Sequence, residues 1–185
     1  DLLHQTPGEI RGVPSGFTQL DKKTTGFQAG DLIVIAGRPS MGKTTLAVNI
    51  AENAAIAKGV PAAIFSMEMS AEQLTLRLIS SLGRVNQSHL RTGNFGDDLN
   101  PWLWGQLLPE DWSRIQGAMA QLSNAPLYVD ETPALTPTEV RARARRLKRE
   151  RGLGLIIVDY LQLMQVSGTK ENRATEISEI SRSLK

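Results

Sequence analysis

Residues 33–45, IVIAGRPSMGKTT, decide the fold of this chain. Within them, GRPSMGKT at residues 37–44 matches the pattern of a phosphate-binding loop, in which a glycine is followed by four residues, Gly-Lys, and Ser or Thr. The preceding run, DLIVIA at residues 31–36, predicts a buried strand, and the residues from Thr45 onward predict a helix. A turn between a strand and a helix is the setting that such a loop needs. A glycine-rich turn that happens to contain Gly-Lys-Thr is the competing interpretation.

Each residue type in this loop meets a physical need. Gly37 and Gly42 lack a Cβ, so the backbone can adopt unusual dihedral angles and approach a phosphate. Successive amides then form an anion nest, to which the following helix adds its partial positive charge. Lys43 is predicted to bring an ammonium to the β- and γ-phosphates, and Thr44 a hydroxyl ligand for Mg²⁺. The predicted nucleotide-binding residues are Gly37, Arg38, Pro39, Ser40, Met41, Gly42, Lys43, Thr44 and Thr45.

Composition limits the class of protein. A chain of 185 residues fits one domain. Its net charge is only +2, so binding to a polyanion would have to come from local clusters of positive charge. The absence of Cys excludes disulfides and thiolate metal sites and suits a reducing compartment. No apolar run approaches membrane-spanning length and no signal peptide is visible. A cytoplasmic protein without a membrane partner is predicted.

Apolar strands alternate with helices along the chain. Residues 1–29 show no sustained period and are rich in Gly and Pro, so we predict a linker or wrapping segment that leads into a domain at residues 30–185. Alternation of this kind predicts an α/β fold with a mainly parallel sheet and helices on both faces. The predicted strands are residues 31–36, 61–67, 125–129 and 153–158, and the predicted helices are about residues 43–58, 70–82, 110–123 and 136–151, with an irregular segment at 83–109.

Two carboxylates follow predicted strands. Asp159 closes the apolar run at residues 155–158, where phosphate-loop nucleotidases usually carry the aspartate that holds Mg²⁺ directly or through water. A simple turn carboxylate is the alternative, and the accompanying phosphate loop favours the metal. Glu68 follows the second strand, at the sheet edge where parallel α/β folds bind ligands, and is the candidate to orient and deprotonate a water. A loop carboxylate near a helix N-terminus is an equal alternative for Glu68.

Two segments are rich in positive charge. The predicted helix at residues 136–151 is densely basic, but its apolar stripe arranges the charges as an outer face, so the sequence favours a solvated surface over a nucleic-acid interface. The loop at residues 165–173 leaves the sheet on the ligand side. Lys170 and Arg173 in that loop are candidates for DNA contact, and a plain surface loop is the equal alternative.

With these residues assembled, the sequence resembles the ATPase domain of DnaB-type replicative DNA helicases, the hexameric motors of bacterial chromosome replication. Several motifs in the right order carry the resemblance, and together they are far more specific than a phosphate loop alone. They are GVPSGF (12–17) with Leu20 and Asp21, AGRPSMGKTT (36–45), FSMEMS (65–70), LRTG (90–93), LTPTEVR (135–141), DYLQLM (159–164) and EISRSLK (179–185).

The resemblance implies a RecA-like fold, ATP and Mg²⁺ as cofactors, and translocation along single-stranded DNA through the centre of a homohexameric ring. Primase and a helicase loader are the implied partners. Carried onto this sequence, the family roles make Lys43 and Thr44 the phosphate and metal ligands, Glu68 the catalytic base and Asp159 the metal-binding carboxylate. The loop after Met164 corresponds to one that faces the central channel.

The sequence also departs from the family pattern. Residues 95–107, which include Trp102 and Trp104, look like an insertion. The chain begins at Asp1 and stops inside a predicted helix, so we expect a piece of a longer protein with a C-terminally incomplete fold. In the family, the C-terminal part supplies a strand between the phosphate-loop and Asp159 strands, a polar sensor, much of the DNA surface, and an arginine finger that acts across the subunit boundary. We therefore expect these residues alone to hydrolyse ATP very poorly.

The sequence is also compatible with three other functions. A RecA-like recombination or repair ATPase shares the phosphate loop and the Glu after the second strand, but would form filaments on DNA instead of closed rings. A phosphate-loop small-molecule kinase would need an Arg-rich lid, which the sequence does not show. A nucleotide-binding or oligomerisation fragment without turnover of its own is the non-enzymatic alternative.

Overall fold

A computed structural model describes residues 10–92, 109–165 and 173–185. Contacts divide the chain into two compact units, one formed by Asp1–Glu68 with Pro126–Lys185 and the other by Met69–Ala125. The α-helices are, in chain order, α1 Thr18–Thr24, α2 Lys43–Glu52, α3 Ala71–Gly83, α4 Gln87–Thr92, α5 Pro109–Asn124, α6 Pro137–Arg151 and α7 Arg173–Leu184. Within the described ranges, none of them combines the length and the apolar character needed to cross a bilayer.

The first unit contains a parallel sheet. Its strands are β1 Ala62–Ser66, β2 Leu127–Asp130 and β3 Leu155–Asp159, in the order β2-β1-β3. The central strand β1 is buried along its whole length, because it is paired on both edges and covered on both faces. Three of the four predicted strands and the parallel arrangement are thus confirmed.

Alternate residues of β1 supply opposite faces of the sheet. Ala63 and Phe65 join a core with α6, with the residues around Leu135 and with α7. Ala62 and Ile64 are equally buried and belong to the opposite face. Helix α2 packs against β1 and β3, and its C-terminus continues as a π-helical segment, Asn53–Ala57, before Gly59 ends it in a left-handed conformation. The helix predicted from Lys43 to about residue 58 is therefore present, with an unpredicted π-helical last turn.

Capping boxes fix the starts of two helices. Ser70 accepts a hydrogen bond from the Gln73 amide, and the Gln73 side chain accepts one from the Ser70 amide, at the start of α3. Thr136 and Glu139 make the same reciprocal pair at the start of α6. Both helix starts are confirmed as predicted.

The second unit is built from α3, α4 and α5. Its core contains Ile79, Val85, Ile115 and Ala118, with Leu82, Leu90 and Leu122 packed against them. The prediction of an irregular segment from residue 83 was wrong for α4, because a helix of only six residues is too short to show a hydrophobic period. Residues 93–108, which include the whole of the expected insertion at 95–107, lie outside the described part of the chain.

Residues 31–36, predicted as a buried strand, do not form one. None of the six is part of a strand, and Leu32, Ile33, Val34 and Ile35 are 38%, 46%, 63% and 38% exposed. Among the described residues, no strand pairs with this segment. A strand exists only through the hydrogen bonds of a neighbour, which an apolar pattern alone does not provide. The further strand that the family resemblance places next to this segment stays a prediction.

A short structure also lies within the predicted linker. Val13 and Phe27 form an antiparallel bridge around α1. The buried carboxylate of Asp21 accepts hydrogen bonds from the Ser15 amide and hydroxyl at 2.8 and 2.7 Å, and from the Gly16 amide at 3.2 Å. Local hydrogen bonding therefore organises this region in place of a hydrophobic period, which explains why the sequence pattern missed α1.

An ion pair ties α6 to the end of β2. Nη1 of Arg143 donates to Oδ2 of Asp130 at 2.6 Å and to Oγ1 of Thr132 at 2.7 Å. Burial raises the pKa of Asp130, but the hydrogen bonds from Arg143 and Thr132 outweigh it, so the pKa lies below its ordinary value of 3.8. The ionised carboxylate is therefore favoured in the folded state.

Arg143→Ala is expected to destabilise the protein by about 1 kcal/mol at pH 7, because the pair is charge-assisted but partly screened by solvent. Since the pKa of Asp130 is lowered by folding, the contribution is present above about pH 4 and disappears as the pH falls through the folded pKa. Thermal unfolding at pH 7 and at pH 3 checks both statements. Arg146→Ala, which breaks an exposed pair with Glu150, is the control and should cost about 0.5 kcal/mol or less. Equal effects of the two changes at pH 7 would contradict the prediction.

Candidate nucleotide site

The phosphate-loop pattern lies at the N-terminus of α2. Gly42 is the N-cap residue, with φ 83°, and its carbonyl accepts the first helical hydrogen bond, from the Leu46 amide at 2.9 Å. Ser40 also has a left-handed φ, of 63°. The expectation of an unusual backbone is confirmed for Gly42, whereas Gly37 does not have a positive φ. Because Ser tolerates the left-handed region poorly, its residue type carried no signal for the conformation at position 40.

The side chain of Lys43 folds back onto the loop. Its Nζ donates to the carbonyl oxygens of Gly37 at 3.0 Å and of Arg38 at 3.1 Å. These bonds close the loop around the ammonium and fix the positive charge beside the main-chain amides of the turn. The arrangement is suited to an anion, because it places a positive charge at the loop.

The helix end itself is open to an anion. No side chain caps α2, and its first turn contains no acidic residue. The positive end of the helix dipole is therefore not offset by a carboxylate of its own first turn. A Cβ built on Gly42 would meet no atom within 4 Å, so the space next to this turn is clear. Backbone amides, helix dipole and Lys43 together make a cradle suited to phosphate.

Asp159 ends β3 and is 8% exposed. Its Oδ2 is buried and has no hydrogen-bond partner in the described part of the protein. An orphaned carboxylate oxygen is costly unless another group satisfies it, and a divalent cation does so directly or through water. The donor set thus fits Mg²⁺, for which the Thr44 hydroxyl would be the second protein ligand.

Glu68 lies at the same edge of the sheet as Asp159. Ser66 and Asp159 face each other in the β1–β3 register, and the Met67 amide donates to the Asp159 carbonyl at 2.8 Å. This bond holds the residues after β1 against the end of β3. Glu68 follows directly and is exposed to solvent, so its carboxylate is accessible to water at this edge. Since α2 packs on the same two strands, the phosphate loop and both carboxylates belong to one unit.

Few carboxylates accompany Asp159. Over residues 10–92, 109–165 and 173–185, no group of three or more His, Cys, Asp or Glu could enclose a metal ion. Mg²⁺ that binds together with a nucleotide takes most of its ligands from phosphate oxygens and water. One carboxylate and one hydroxyl are sufficient protein ligands.

The candidate DNA contacts lie at the edge of the described part of the chain. Lys170 lies outside the described residues, and Arg173 is placed only as the first residue of α7. One anchor for the segment before them is visible, since the Gln165 amide donates to the Leu135 carbonyl at 3.2 Å. The proposed DNA contacts of Lys170 and Arg173 stay predictions.

Comparison with known proteins assigns a family. The family profile of the DnaB-like helicase C terminal domain matches residues 12–185. The chain is 52% identical to the replicative DNA helicase DnaB of Geobacillus stearothermophilus and 50% identical to the replicative DNA helicase DnaC of Bacillus subtilis (strain 168). Each match covers 100% of this chain and 38% of the relative. The chain therefore spans well under half of the length of these relatives.

Solved structures agree with this assignment. A solved ATPase domain superposes with a TM-score of 0.86 at 29% identity, over 99% of this chain and 61% of that one. A DnaB-like replicative helicase, described with its interactions with primase, gives 0.85 at 30% identity, over 99% and 42%. The predicted RecA-like α/β fold is confirmed. This chain belongs to the family of DnaB-like helicase C-terminal domains.

Proposed function

We propose that this chain is the nucleotide-hydrolysing core of a replicative DNA helicase, in which ATP hydrolysis drives translocation on single-stranded DNA and duplex unwinding. The observation that supports this most is the pairing of a phosphate loop closed by Lys43 with the orphaned Oδ2 of Asp159 at the adjoining sheet edge. The 50–52% identity to replicative DNA helicases supports DNA as the polymer along which the protein translocates.

Each residue of the site has a defined part. The amides of residues 37–44 and the dipole of α2 bind the phosphates and orient them. Lys43 exchanges its two carbonyl partners for phosphate oxygens, where its charge offsets the negative charge that develops in phosphoryl transfer. Thr44 and Asp159 would hold Mg²⁺, which would supply positive charge to neutralise the phosphates. Glu68 accepts a proton from the attacking water and aligns it.

Assembly and partners follow from the family. We propose a homohexameric ring around single-stranded DNA, with primase and a helicase loader as partners and a cytoplasmic location. One related structure is described with its interactions with primase, which supports that partner. An arginine finger from a neighbouring subunit would complete the charge neutralisation that the residues described here begin.

ATP hydrolysis by the full-length protein tests this proposal. Turnover should rise when single-stranded DNA is added, because a motor hydrolyses ATP as it moves. Turnover that ignores DNA would count heavily against a helicase. Electron microscopy separates the recombination alternative, since closed rings support the helicase and filaments on DNA would support strand exchange.

The non-enzymatic alternative applies to the 185 residues in isolation. The exposed run at residues 31–36, which pairs with no strand of the described chain, leads directly into the phosphate loop. A loop whose entry is not held in a sheet is poorly preorganised for catalysis. We therefore expect the isolated chain to bind nucleotide but to hydrolyse it very slowly, and brisk turnover by the isolated chain would contradict this.

Asp159→Asn is expected to raise the Mg²⁺ concentration needed for half-maximal ATP hydrolysis by about tenfold or more, because a neutral amide is a weaker ligand for a hard cation. A Mg²⁺ titration of the full-length protein at saturating ATP measures the shift. Asp111→Asn, on α5, removes a carboxylate that pairs with Arg114 at 3.6 Å and should leave the titration unchanged. Identical Mg²⁺ curves for Asp159→Asn and the unmodified protein would overturn the metal role.

A further inference from the structure

The charges of α6 are divided between two sides of the helix. Residues advance by about 100° each around an α-helix, and the buried Val140 and Ala144 define the side that faces the core. Relative to Val140, residues 139, 143, 146 and 150 fall on one flank, and residues 141, 145, 148 and 149 fall on the other. The two flanks differ in what their charges contact.

On the first flank, the cations meet acids. Arg143 binds Asp130 at 2.6 Å and Arg146 binds Glu150 at 3.0 Å. Glu139 is on this flank as well, and its carboxylate accepts hydrogen bonds from Thr136. This side therefore behaves as an ordinary solvated helix surface, with charges of both signs in contact.

The second flank carries Arg141, Arg145, Lys148 and Arg149, which we call the cationic flank. All four side chains are exposed, and none has an ion-pair partner within the described part of the chain. No acidic residue of α6 lies on this side. Four unneutralised charges that lie within about 100° of arc repel one another. Like charges at this spacing destabilise a helix unless a ligand offsets them.

We propose that the cationic flank binds the phosphodiester backbone of DNA, at a surface separate from the nucleotide site. Residues 141 to 149 span about 12 Å at 1.5 Å per residue, so the flank presents four charges over a length in which one DNA strand presents about three to four phosphates. Three of the four cations are arginines, whose planar fork matches phosphate oxygens in pairs. This proposal rests on the proposed function, because a helicase motor meets DNA as its polyanion.

The cationic flank also belongs to a helix that is packed into the core. The buried side of α6, between the two flanks, packs into the core of the first unit with Leu135 and Phe65. Because α6 is packed, the backbone that carries these charges is positioned before binding, and only the four side chains lose conformational freedom on contact with DNA. Such contacts position DNA without reading its sequence.

The test compares two double variants of the full-length protein. Arg145→Gln with Arg149→Gln removes two charges from the cationic flank, and Lys22→Gln with Lys23→Gln removes two exposed charges from α1. Fluorescence anisotropy measures binding of labelled single-stranded and duplex DNA at several salt concentrations, with a non-hydrolysable ATP analogue present. The slope of log K against log salt should shrink by about 1.4 for single strands or about 1.8 for duplex in the flank variant. It should not change in the control.

The salt slope is measured separately for single-stranded and for duplex DNA. The form of DNA for which the slope shrinks in the flank variant is the form that the cationic flank contacts. Arg145→Lys with Arg149→Lys keeps both charges and should restore the slope. An unchanged slope in the flank variant, or an equal loss in the control, overturns the proposal. If the salt slope of the flank variant is unchanged while DNA still stimulates its ATP hydrolysis, the DNA-binding role of the cationic flank is refuted and the proposed function stands. Failure of DNA to stimulate even the unmodified protein refutes the proposed function instead.

Discussion

Lys43→Ala in the full-length protein is expected to lower ATP turnover by about 10²–10³-fold or more, to the background of the assay. The Lys43 ammonium is held at the loop by hydrogen bonds to the carbonyl oxygens of Gly37 and Arg38. Alanine removes the group that we propose offsets phosphate charge as the γ-phosphoryl leaves, and it also removes the hydrogen bonds to Gly37 and Arg38. Steady-state phosphate release with saturating ATP, Mg²⁺ and single-stranded DNA measures the loss.

The matched control is Lys58→Ala. Lys58 lies just beyond the π-helical end of the same helix and is exposed, so its removal changes the net charge equally without touching the loop. Turnover should stay within about twofold of the unmodified value, as for a surface substitution. If Lys43→Ala retained a tenth or more of the activity, the role given to Lys43 would be wrong.

Glu68→Gln is expected to lower kcat by about 10²–10⁴-fold while ATP binding stays nearly unchanged. The amide keeps the size of the side chain but cannot accept a proton at neutral pH, and Glu68 is exposed and therefore does not support the core. A fluorescent ATP analogue measures Kd, and single-turnover hydrolysis measures the chemical step. A large drop in hydrolysis with an unchanged Kd is the pattern of a group that acts in the transition state.

Glu72→Gln is the control for this change. Glu72 is an exposed carboxylate in the first turn of α3, and it is not among the residues assigned to the nucleotide site. Near-normal hydrolysis is expected. A Glu68→Gln protein with full kcat would mean that another group activates the water.

The elements that were predicted well are those determined locally. Capping boxes at Ser70 and Thr136 consist of residues three apart, so the sequence contains the whole interaction. The left-handed Gly42 at the N-terminus of α2 is equally local, because the motif itself places a glycine there. Strands β1, β2 and β3 were found because continuous apolar runs bounded by turns mark buried parallel strands.

The prediction failed where the determining partner is distant. Residues 31–36 have the composition of a strand, yet no neighbour among the described residues completes their hydrogen bonds. Helix α1 is fixed by hydrogen bonds from the Ser15 amide and hydroxyl to the Asp21 carboxylate. Its sequence shows no hydrophobic period that could have predicted it. Both cases show that composition sets what a segment can form, whereas its contacts decide what it does form.

The site shows the same division. Position after a strand was enough to nominate Asp159 and Glu68. The link that brings their backbones together, from the Met67 amide to the Asp159 carbonyl, depends on the β1–β3 register, which no local pattern encodes. The burial of Asp159 Oδ2 without a partner in the described chain is likewise visible only after folding. The cationic flank of α6, in contrast, could have been found from the spacing of its acids and bases.

A crystal structure of the full-length protein with Mg²⁺ and a non-hydrolysable ATP analogue tests the central claim most directly. We expect the phosphates wrapped by the amides of residues 37–44, and Mg²⁺ bound by the Thr44 hydroxyl and held by Asp159 directly or through one water. Glu68 should lie within about 3 Å of a water in line with the γ-phosphate. A structure in which Asp159 does not reach the metal shell, or in which Glu68 points away from the γ-phosphate, would contradict the account.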